Sequence, residues 1–324
     1  MFRFKKRGML LLMAVAMLAV LITGCGSSDS ENAAADKKFI NIATGGTAGV
    51  YYPLGGAIAG VLNENISGVS ATAQSTGASV ANVNMLNDGS VQMAFVQNDI
   101  AYYAVNGTEM FADNKVADLQ AIATIYPETV QIVTLKSTGI NSIEDLKGKK
   151  VAVGAAGSSV VSNSEQVLGA YGMSFDDIDE QFLSFSEAAN GLKDGNIDAA
   201  FLSAGFPTSA IQDIAAQHDI VMLSLDEDKV AKLQENYSYY TPMTIPAGTY
   251  PGQTEDVNAV SIMAMLVVKA DMAEQDAYDI TKAIFDNIDK VKAAHSVGQY
   301  ISKESAKEGI SIPMHPGAEK YFNE

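Results

Sequence analysis

The chain has 324 residues, of which 38 are acidic and 21 basic, giving a net charge of −17. Such an acidic balance argues against nucleic-acid binding and against electrostatic attachment to anionic membranes. A single cysteine excludes a disulfide framework and a cysteine-based zinc site, and 48% hydrophobic residues suffice for one large core or two moderate ones.

The first 25 residues have the layout of an export signal. A basic start precedes the apolar run Met9–Ile22, whose 14 residues are fewer than the ~18 needed to span a bilayer. The segment 22–25, ITGC, resembles a bacterial lipobox, in which the cysteine is lipidated; the alternative is a plain signal peptide with an incidental cysteine. We therefore expect a lipoprotein signal peptide at 1–24 and a flexible lipidated tether at 25–38. The exported protein would be anchored through Cys25 to the outer face of the cytoplasmic membrane.

The exported part carries no arginine. After Cys25 there are 17 lysines against 38 acidic residues, so its net charge is −21, and the last arginine is Arg7. Arginine is the usual bidentate partner of carboxylates and phosphates. Any anion would therefore be held by backbone N–H groups, hydroxyls and amides.

The first structural motif is a glycine-rich turn between a strand and a helix. The strand at 39–43 is followed by TGGTAG at 44–49 and by a helix over 50–63. Free N–H groups at a helix start, together with the helix dipole, favour an anion. The turn is neither GxGxxG nor a P-loop, so a nucleotide site is not indicated.

The same β-α-β-α-β pattern occurs twice. The stretch 87-NDGSVQMAFVQ-97 aligns with 193-KDGNIDAAFLS-203, and both copies have a small-residue turn after their first strand. The predicted elements are strands at 39–43, 70–74, 91–97, 149–154, 180–184 and 197–203, with helices at 50–63, 79–86, 160–171 and from 185. Parallel strands place their carboxyl ends, where the helices begin, at one edge of each sheet. Two such edges, facing each other, predict a cleft.

Two segments are predicted to carry the chain between the copies. The first is strand-like, 119–136, and is interrupted by Pro127; the second is the proline-rich segment 241–252. The apolar stretch 259–269 suits a buried strand, and a helix is expected at 272–291 from its 3.6-residue periodicity.

These elements predict an α/β fold of two lobes, each a mostly parallel sheet flanked by helices, with hinge strands between them. Lobe I is expected to comprise 39–129 and 250–324, and lobe II to comprise 130–249.

Several motifs together resemble the TAXI-type solute receptors of tripartite ATP-independent (TRAP) transporters. They are 44-TGGTAGVYYPLG-55, 74-QSTGASVANVNML-86, 89-GSVQMAFVQND-99, 126-YPETVQIV-133, 145-DLKGKKVAVGAAGSS-159, 194-DGNIDAAFLSAGFP-207, 246-PAGTY-250 and 315-HPGAEKYF-322. The resemblance implies a type II-like periplasmic-binding-protein fold, which closes on a small carboxylate such as glutamate, glutamine or 2-oxoglutarate. It also implies delivery of that solute to a TRAP-type membrane permease, with no cofactor and no enzymatic activity.

Candidate ligand contacts are polar groups at the helix starts and strand ends of both copies, together with Glu128 in the first crossing segment. They are Thr47, Tyr51, Ser75, Thr76, Ser79, Gln97, Asn98, Glu128, Ser158, Ser159, Ser203, Gly205 and Phe206. Serines and threonines at helix starts are equally well explained as N-caps. Glu128 is expected either to meet an ammonium group of the ligand or to lie in solvent at a hinge.

Other function classes are less well supported. A serine hydrolase would need GxSxG, which is absent, and the three histidines fall in unrelated motifs, so no metal site is predicted. The alternatives left open are a binding protein of the same fold that serves an ATP-driven importer or a sensor kinase, and, less favoured, a periplasmic enzyme.

Overall fold

The computed structural model describes residues 37–324, which form one compact unit. The predicted signal peptide, the lipidation site Cys25 and the tether up to residue 36 lie outside the described residues. None of the helices within 37–324 combines the length and the apolar character needed to cross a membrane.

Ten strands form one mixed sheet. In chain order they are β1 (Lys38–Ala43), β2 (Val69–Gln74), β3 (Met93–Gln97), β4 (Leu119–Leu135), β5 (Lys150–Ala152), β6 (Asp179–Gln181), β7 (Ala199–Ala204), β8 (Ile220–Met222), β9 (Thr241–Ile245) and β10 (Val257–Lys269). The strand order is β2-β1-β3-β10-β4-β7-β5-β6, with β8 paired to β4 and β9 paired to β10.

The helices lie between these strands and after β10. They are α1 (Tyr51–Asn65), α2 (Ser79–Asn87), α3 (Asn98–Asn106), α4 (Ser159–Ala170), α5 (Phe185–Lys193), α6 (Ser209–Ala215), α7 (Glu227–Asn236), α8 (Glu274–Asp286), α9 (Ile288–Lys292) and α10 (Pro316–Phe322). Short 3-10 turns occupy Glu109–Phe111, Lys136–Thr138, Glu144–Leu146, Phe175–Asp177, Ser296–Tyr300 and Ser305–Lys307.

The sheet topology repeats the pattern predicted from the sequence. In each copy the first strand lies between the second and the third, in the order β2-β1-β3 and β6-β5-β7, and these pairs are parallel. We call β1–β3 with their helices the first half and β5–β7 with theirs the second half. The predicted type II periplasmic-binding-protein fold is confirmed.

Two long strands join the halves and pair antiparallel with each other. Strand β4 pairs with β10 up to Thr129 and with β7 from Thr129 onward, so the first crossing lies beside Pro127. Strand β10 pairs with β9 through Ser261 and with β3 from Ala264. The second change of partner therefore falls within β10. The segment 241–252, predicted as the second crossing, instead forms β9 and part of the turn that leads from β9 to β10. The predicted lobe boundaries themselves stay a prediction.

The C-terminal segment packs on the first half. Buried residues of α8 and α10, such as Ile284 and Tyr321, share a core with Leu54 and Ile58 of α1. The helix predicted at 272–291 is divided, because Asn287 leaves the helical conformation and its Nδ2 donates to the carbonyl of Ala283 (2.9 Å). The second half has its own core around Val151, Val167 and Phe201, among others.

Candidate functional site

A cavity lies between the two halves. It encloses about 560 Å³ of empty space, its open mouth included, and both halves contribute to its walls. Six of the residues predicted as ligand contacts line it: Tyr51, Thr76, Glu128, Ser158, Ser159 and Ser203. The carboxyl-end edges of the two parallel sheets therefore meet as expected from the repeated pattern.

Four helices begin at this cavity, two from each half, and their first residues differ in how they are capped. Helix α1 follows Val50, which has no side-chain acceptor, and α4 follows Ser158, whose side chain makes no capping hydrogen bond. Ser158 Oγ is buried and has no partner within the described part of the chain. These two helix starts therefore retain free N–H groups and the positive end of the dipole.

The other two helix starts are already satisfied. The carbonyl of Gly157 in the second half accepts from the N–H groups of Val80 and Ala81 at the start of α2, each at 3.0 Å. Helix α5 has a capping box, in which Ser184 and Glu187 bond each other's backbone N–H groups. An anion in the cavity would thus find its free helix donors at α1 and α4.

Glu128 is the acidic side chain of the cavity wall. It is 4% exposed, and its two oxygens accept hydrogen bonds from the hydroxyls of Tyr51 (2.9 Å) and Tyr126 (3.0 Å). Burial raises the pKa of Glu128 to about 7, although the hydrogen bonds that it accepts oppose this shift. The predicted solvent position is therefore wrong, because β4 carries Glu128 through the centre of the sheet.

A second buried carboxyl lies nearby and was not anticipated from the sequence. Asp99 is fully buried at the start of α3; its Oδ1 accepts from the N–H of Ile100 (2.7 Å), and Oδ2 has no partner among residues 37–324. Burial raises its pKa to about 7. The side-chain amide of the adjacent Gln97 is likewise buried and unpartnered within the described chain. This polar cluster has no cationic side chain of its own.

Other predicted contacts lie near the cavity without lining it. Thr47 and Ser75 are exposed, and Ser75 Oγ donates to the carbonyl of Gly45 (3.0 Å). Ser79 Oγ is buried between the halves, where it accepts from the N–H of Gln97 (3.1 Å) and contacts Ser159 Oγ (3.4 Å). The hydroxyl of Ser75 thus bonds the local backbone, and that of Ser79 lies at the contact between the halves.

Three further predicted residues make hydrogen bonds or packing contacts within the protein. Asn98 Nδ2 donates to the carbonyl of Gly309 (2.9 Å), in the C-terminal segment. A Cβ at Gly205 would lie 2.1 Å from Val297 Cγ1, so this glycine permits close packing rather than ligand contact. Phe206 follows β7, and its half-buried side chain packs against a hydrophobic core.

The sequence reasoning missed several residues of the wall. They are Gly45, Gly46, Gly49, Val50, Gly77, Ala78, Ala155, Val160, Ser184, Phe185 and Ala204. Gly45, Gly46 and Gly49 belong to the turn that the sequence indicates as an anion cradle, although none of them was among the predicted contacts. Ser184 and Phe185 occupy the position in the second copy that 75–79 occupies in the first, so the repeat itself would have found them.

The halves are in direct contact around the cavity. Besides the bonds from Val80 and Ala81 to Gly157, Ser209 Oγ in the second half donates to the carbonyl of Ala48 (2.7 Å). The conformation is therefore closed. No cluster of three or more histidine, cysteine, aspartate or glutamate residues within 37–324 is arranged to hold a metal ion.

Comparison with known proteins places this geometry in a family. A profile described as the NMT1-like family matches residues 42–324. Among solved structures, the alkanesulfonate-binding protein SsuA from Xanthomonas axonopodis pv. citri, bound to MOPS, is 18% identical, with 89% of this chain and 84% of that chain covered and a TM-score of 0.50. PhnD1 from Prochlorococcus marinus, in complex with methylphosphonate, is 12% identical, with 81% and 90% covered and a TM-score of 0.54.

A third solved structure is a binding protein component of an ABC phosphonate transporter from Pseudomonas aeruginosa. It is 11% identical, with 82% of this chain and 81% of that chain covered and a TM-score of 0.52. At these identities the three likenesses establish the shared fold.

The resemblance to TAXI-type receptors of TRAP transporters is wrong. The finding that overturns it is the match to the NMT1-like profile over 42–324, and none of these three solved proteins is named as a TRAP receptor. In this fold the motifs quoted for the resemblance include the glycine turn before α1 and the ends of β3 and β7.

Proposed function

The chain belongs to the NMT1-like family, and from that premise we propose that it is an exported solute-binding protein serving an ATP-driven importer. Three solved proteins of the same fold are named as binding proteins or are bound to small ligands, and one is named as part of an ABC transporter. The proposed role is binding without catalysis. Lipidation at Cys25 would hold the protein at the outer face of the cytoplasmic membrane, beside its transporter.

The observation that carries the proposal is the closed cavity with two uncapped helix starts. Helices α1 and α4 come from different halves and both begin at the wall. An anionic group placed between them receives N–H donors from both halves only when the halves are together. Ligand binding then shifts an open–closed equilibrium toward the closed form.

The chemistry of the wall defines the class of solute. Backbone N–H groups with Ser158 and Ser159 suit an anionic head, and Glu128 at the same wall suits a group that donates hydrogen bonds, such as an ammonium. We infer a small organic anion, carrying a carboxylate, sulfonate or phosphonate, with a donor at its other end. Glutamate and glutamine fit this description, and 2-oxoglutarate fits its anionic part.

Neutral donors are sufficient for such a ligand. A hydrogen bond to a charged group contributes about 1.5–3 kcal/mol, and a micromolar complex needs about 8 kcal/mol net after the cost of association. Five or six well-placed donors therefore replace the arginine that the exported chain lacks. The negative surface charge is a modest obstacle, because charges beyond about 8 Å are largely screened at physiological salt.

The test is a thermal-shift screen of the domain from residue 36 onward. The panel is glutamate, glutamine, 2-oxoglutarate, taurine, methylphosphonate and a phosphorylated sugar, each with its uncharged amide or alcohol analogue as control. A ligand at 100 times its dissociation constant adds about 2.7 kcal/mol, which is a shift of several degrees. Selective shifts by anions support the proposal. Equal shifts by anions and uncharged analogues, or no shift across the panel, would contradict it.

A further inference from the structure

A second, open groove joins the two halves outside the cavity. It encloses about 1,240 Å³, open solvent included. The first half contributes Asn98, Tyr102, Tyr103 and Glu109, and the second half contributes the segment 236–239. We call this the tyrosine groove, after Tyr102, Tyr103, Tyr237 and Tyr239.

The tyrosine rings form a continuous aromatic wall. Ring centroids are 6.2 Å apart for Tyr102 and Tyr103, 6.1 Å for Tyr103 and Tyr239, and 5.9 Å for Tyr237 and Tyr239. Tyr102 is 46% exposed, Tyr237 and Tyr239 are half-buried, and Tyr103 is buried. The exposed parts of the Tyr102, Tyr237 and Tyr239 rings offer π faces to a cation.

The wall is complete only in the closed form. The hydroxyl of Tyr103, in the first half, contacts that of Tyr239, in the second. Gln166 of α4 donates from Nε2 to the Tyr239 hydroxyl (3.0 Å) and to the Tyr103 hydroxyl (3.3 Å). Separation of the halves would break these bonds and divide the groove.

The groove is acidic. Glu109 and Glu165 both line the two depressions that adjoin it, of about 870 and 910 Å³ with open solvent included. Both carboxylates are exposed and neither forms an ion pair with another residue of the described chain. Burial, and then the charges of these two glutamates, raise the pKa of Tyr237. No lysine of the described chain lines the groove or the two depressions.

A buried hydrogen-bond acceptor also belongs to a residue that lines the groove. Asn98 is 3% exposed and lines the groove, and its Oδ1 has no hydrogen-bond partner within residues 37–324, because Nδ2 is the atom that bonds Gly309. A buried acceptor without a donor is costly, and this cost is relieved if an N–H group reaches the oxygen when the groove is occupied. Glu109 also has a φ of 48°, a strained value for a residue with a side chain, and such strain often marks functional positions.

We propose that the tyrosine groove is a docking surface for a basic segment of a protein partner, which places arginine or lysine side chains against the tyrosine rings and between Glu109 and Glu165. A protein segment is favoured over a small cation because the groove is open and continues into two depressions that share Glu109. Since both halves form the wall, such a partner would recognise the closed protein. That last preference rests on the proposed function, in which closure reports a bound solute.

The probe is a fluorescein-labelled hexa-arginine peptide, titrated with the full exported chain by fluorescence anisotropy at physiological ionic strength. We expect saturable binding that the double variant Glu109→Gln/Glu165→Gln weakens about tenfold, since it removes two carboxylates that would pair with the arginines of the peptide. The matched control is Glu180→Gln/Glu255→Gln, which removes two exposed charges outside the groove. Equal weakening by both doubles would overturn the proposal, because only the net charge would then matter.

The aromatic contribution has its own control. Tyr237→Phe keeps the ring and Tyr237→Leu removes it, so we expect the first to retain affinity and the second to lose about threefold. Equal affinities for the two variants would contradict a role of the ring. Competition by free arginine as strong as by unlabelled peptide would mean a small-cation site and overturn the docking of a protein segment.

The two proposals can fail separately. Peptide titrations are made with and without the solute panel of the thermal-shift screen. Peptide binding without any solute-induced shift would leave the groove standing and remove the proposed function. Solute shifts without groove-dependent peptide binding would do the reverse.

Discussion

The two copies of the β-α-β-α-β pattern satisfy the first N–H groups of their second helices in different ways. In the second copy, α5 satisfies its own first N–H groups through Ser184 and Glu187, which are three residues apart. In the first copy, the equivalent helix α2 has no side-chain cap and is satisfied by the Gly157 carbonyl of the other half. The first N–H groups of α5 are thus satisfied within its own half, and those of α2 only when the two halves are together.

The halves differ also in what their side chains bring to the cavity. The first half and its part of β4 contribute Tyr51, Thr76 and the carboxyl of Glu128, whereas the second half contributes four serines and no carboxyl: Ser158, Ser159, Ser184 and Ser203. A duplicated backbone pattern therefore supports two unlike surfaces. The glycine turns carry the shared part, and the side chains that follow them carry the difference.

The largest expected effect concerns Glu128, the carboxyl that lines the cavity beside the first half. Above its ordinary pKa of 4.5, the Glu128 carboxyl ionises in the unfolded chain but stays protonated in the folded protein until about pH 7. The contribution of this group to stability is therefore fully present below pH 4.5 and falls by about 3 kcal/mol as pH rises through that window. Urea unfolding measured from pH 4 to pH 8 checks this slope.

The variant Glu128→Gln should lack that contribution to the slope, while Asp99, whose pKa is also about 7, still supplies its own. The matched control, Asp99→Asn, should lack the contribution of Asp99 to the slope and keep that of Glu128. Identical pH profiles for the wild type and Glu128→Gln would show that Glu128 does not titrate as the structure implies.

The next effect tests the uncapped start of α4 against a helix remote from the cavity. Ser158→Asp places a carboxylate where the proposed anion binds, so affinity for the best solute of the panel should fall about a hundredfold, or about 2.7 kcal/mol. Folding should be preserved, because an acidic N-cap is favourable. Isothermal titration calorimetry measures the loss.

The control for this change is Ala273→Asp at the N-cap of α8, which has no side-chain cap and lies outside the cavity wall. It should raise stability by about 1 kcal/mol without changing affinity. Undiminished affinity in Ser158→Asp would remove α4 from the binding site.

A smaller effect is expected at the start of α2. Ala78 has φ 70° and ψ −151°, a conformation that residues with a Cβ rarely adopt. Ala78→Gly should therefore stabilise the protein by about 1 kcal/mol. Ala81→Gly, within the helix, should destabilise it by a similar amount. Thermal unfolding of both variants gives the two signs, and the same sign for both would contradict the strain at Ala78.

The smallest effect concerns the self-capped helix α5. Glu187→Ala removes one side of its capping box and should lower stability by about 0.5 kcal/mol, the low end for loss of a cap. Because this cap lies within one half, the loss should be the same with and without saturating solute. A loss that depends on solute would mean that α5, like α2, is coupled to closure.

Most strands and helices follow from neighbouring residues. Strand β1, the glycine turn and α1 lie as predicted, because apolar periodicity and turn glycines act over a few residues. The strand predicted at 180–184 ends at Gln181, since Ser184 is used as the N-cap of α5. Helix α3 was missed, because its sequence 98-NDIAYYAVN-106 resembles the continuation of a strand end as much as a helix.

The candidate site was predictable where it follows from the repeat. Tyr51 and Ser158 were found because they follow the equivalent turns of the two copies. Asp99 was not, since the sequence shows a polar residue after a strand and only the packing around the start of α3 removes it from water. The close packing of Gly205 on Val297 was not predictable either, because the two residues are more than ninety positions apart.

The sequence by itself determined the class of fold, the duplication and the place of the cleft, because each depends on local patterns that recur along the chain. The tertiary structure decided which helix starts are free and which carboxyls are buried. Those outcomes depend on groups that are distant in sequence: the Gly157 carbonyl meets α2, and the Tyr51 hydroxyl meets Glu128. A hydrogen bond or a desolvated charge depends on the final positions of both partners, and no stretch of sequence contains both.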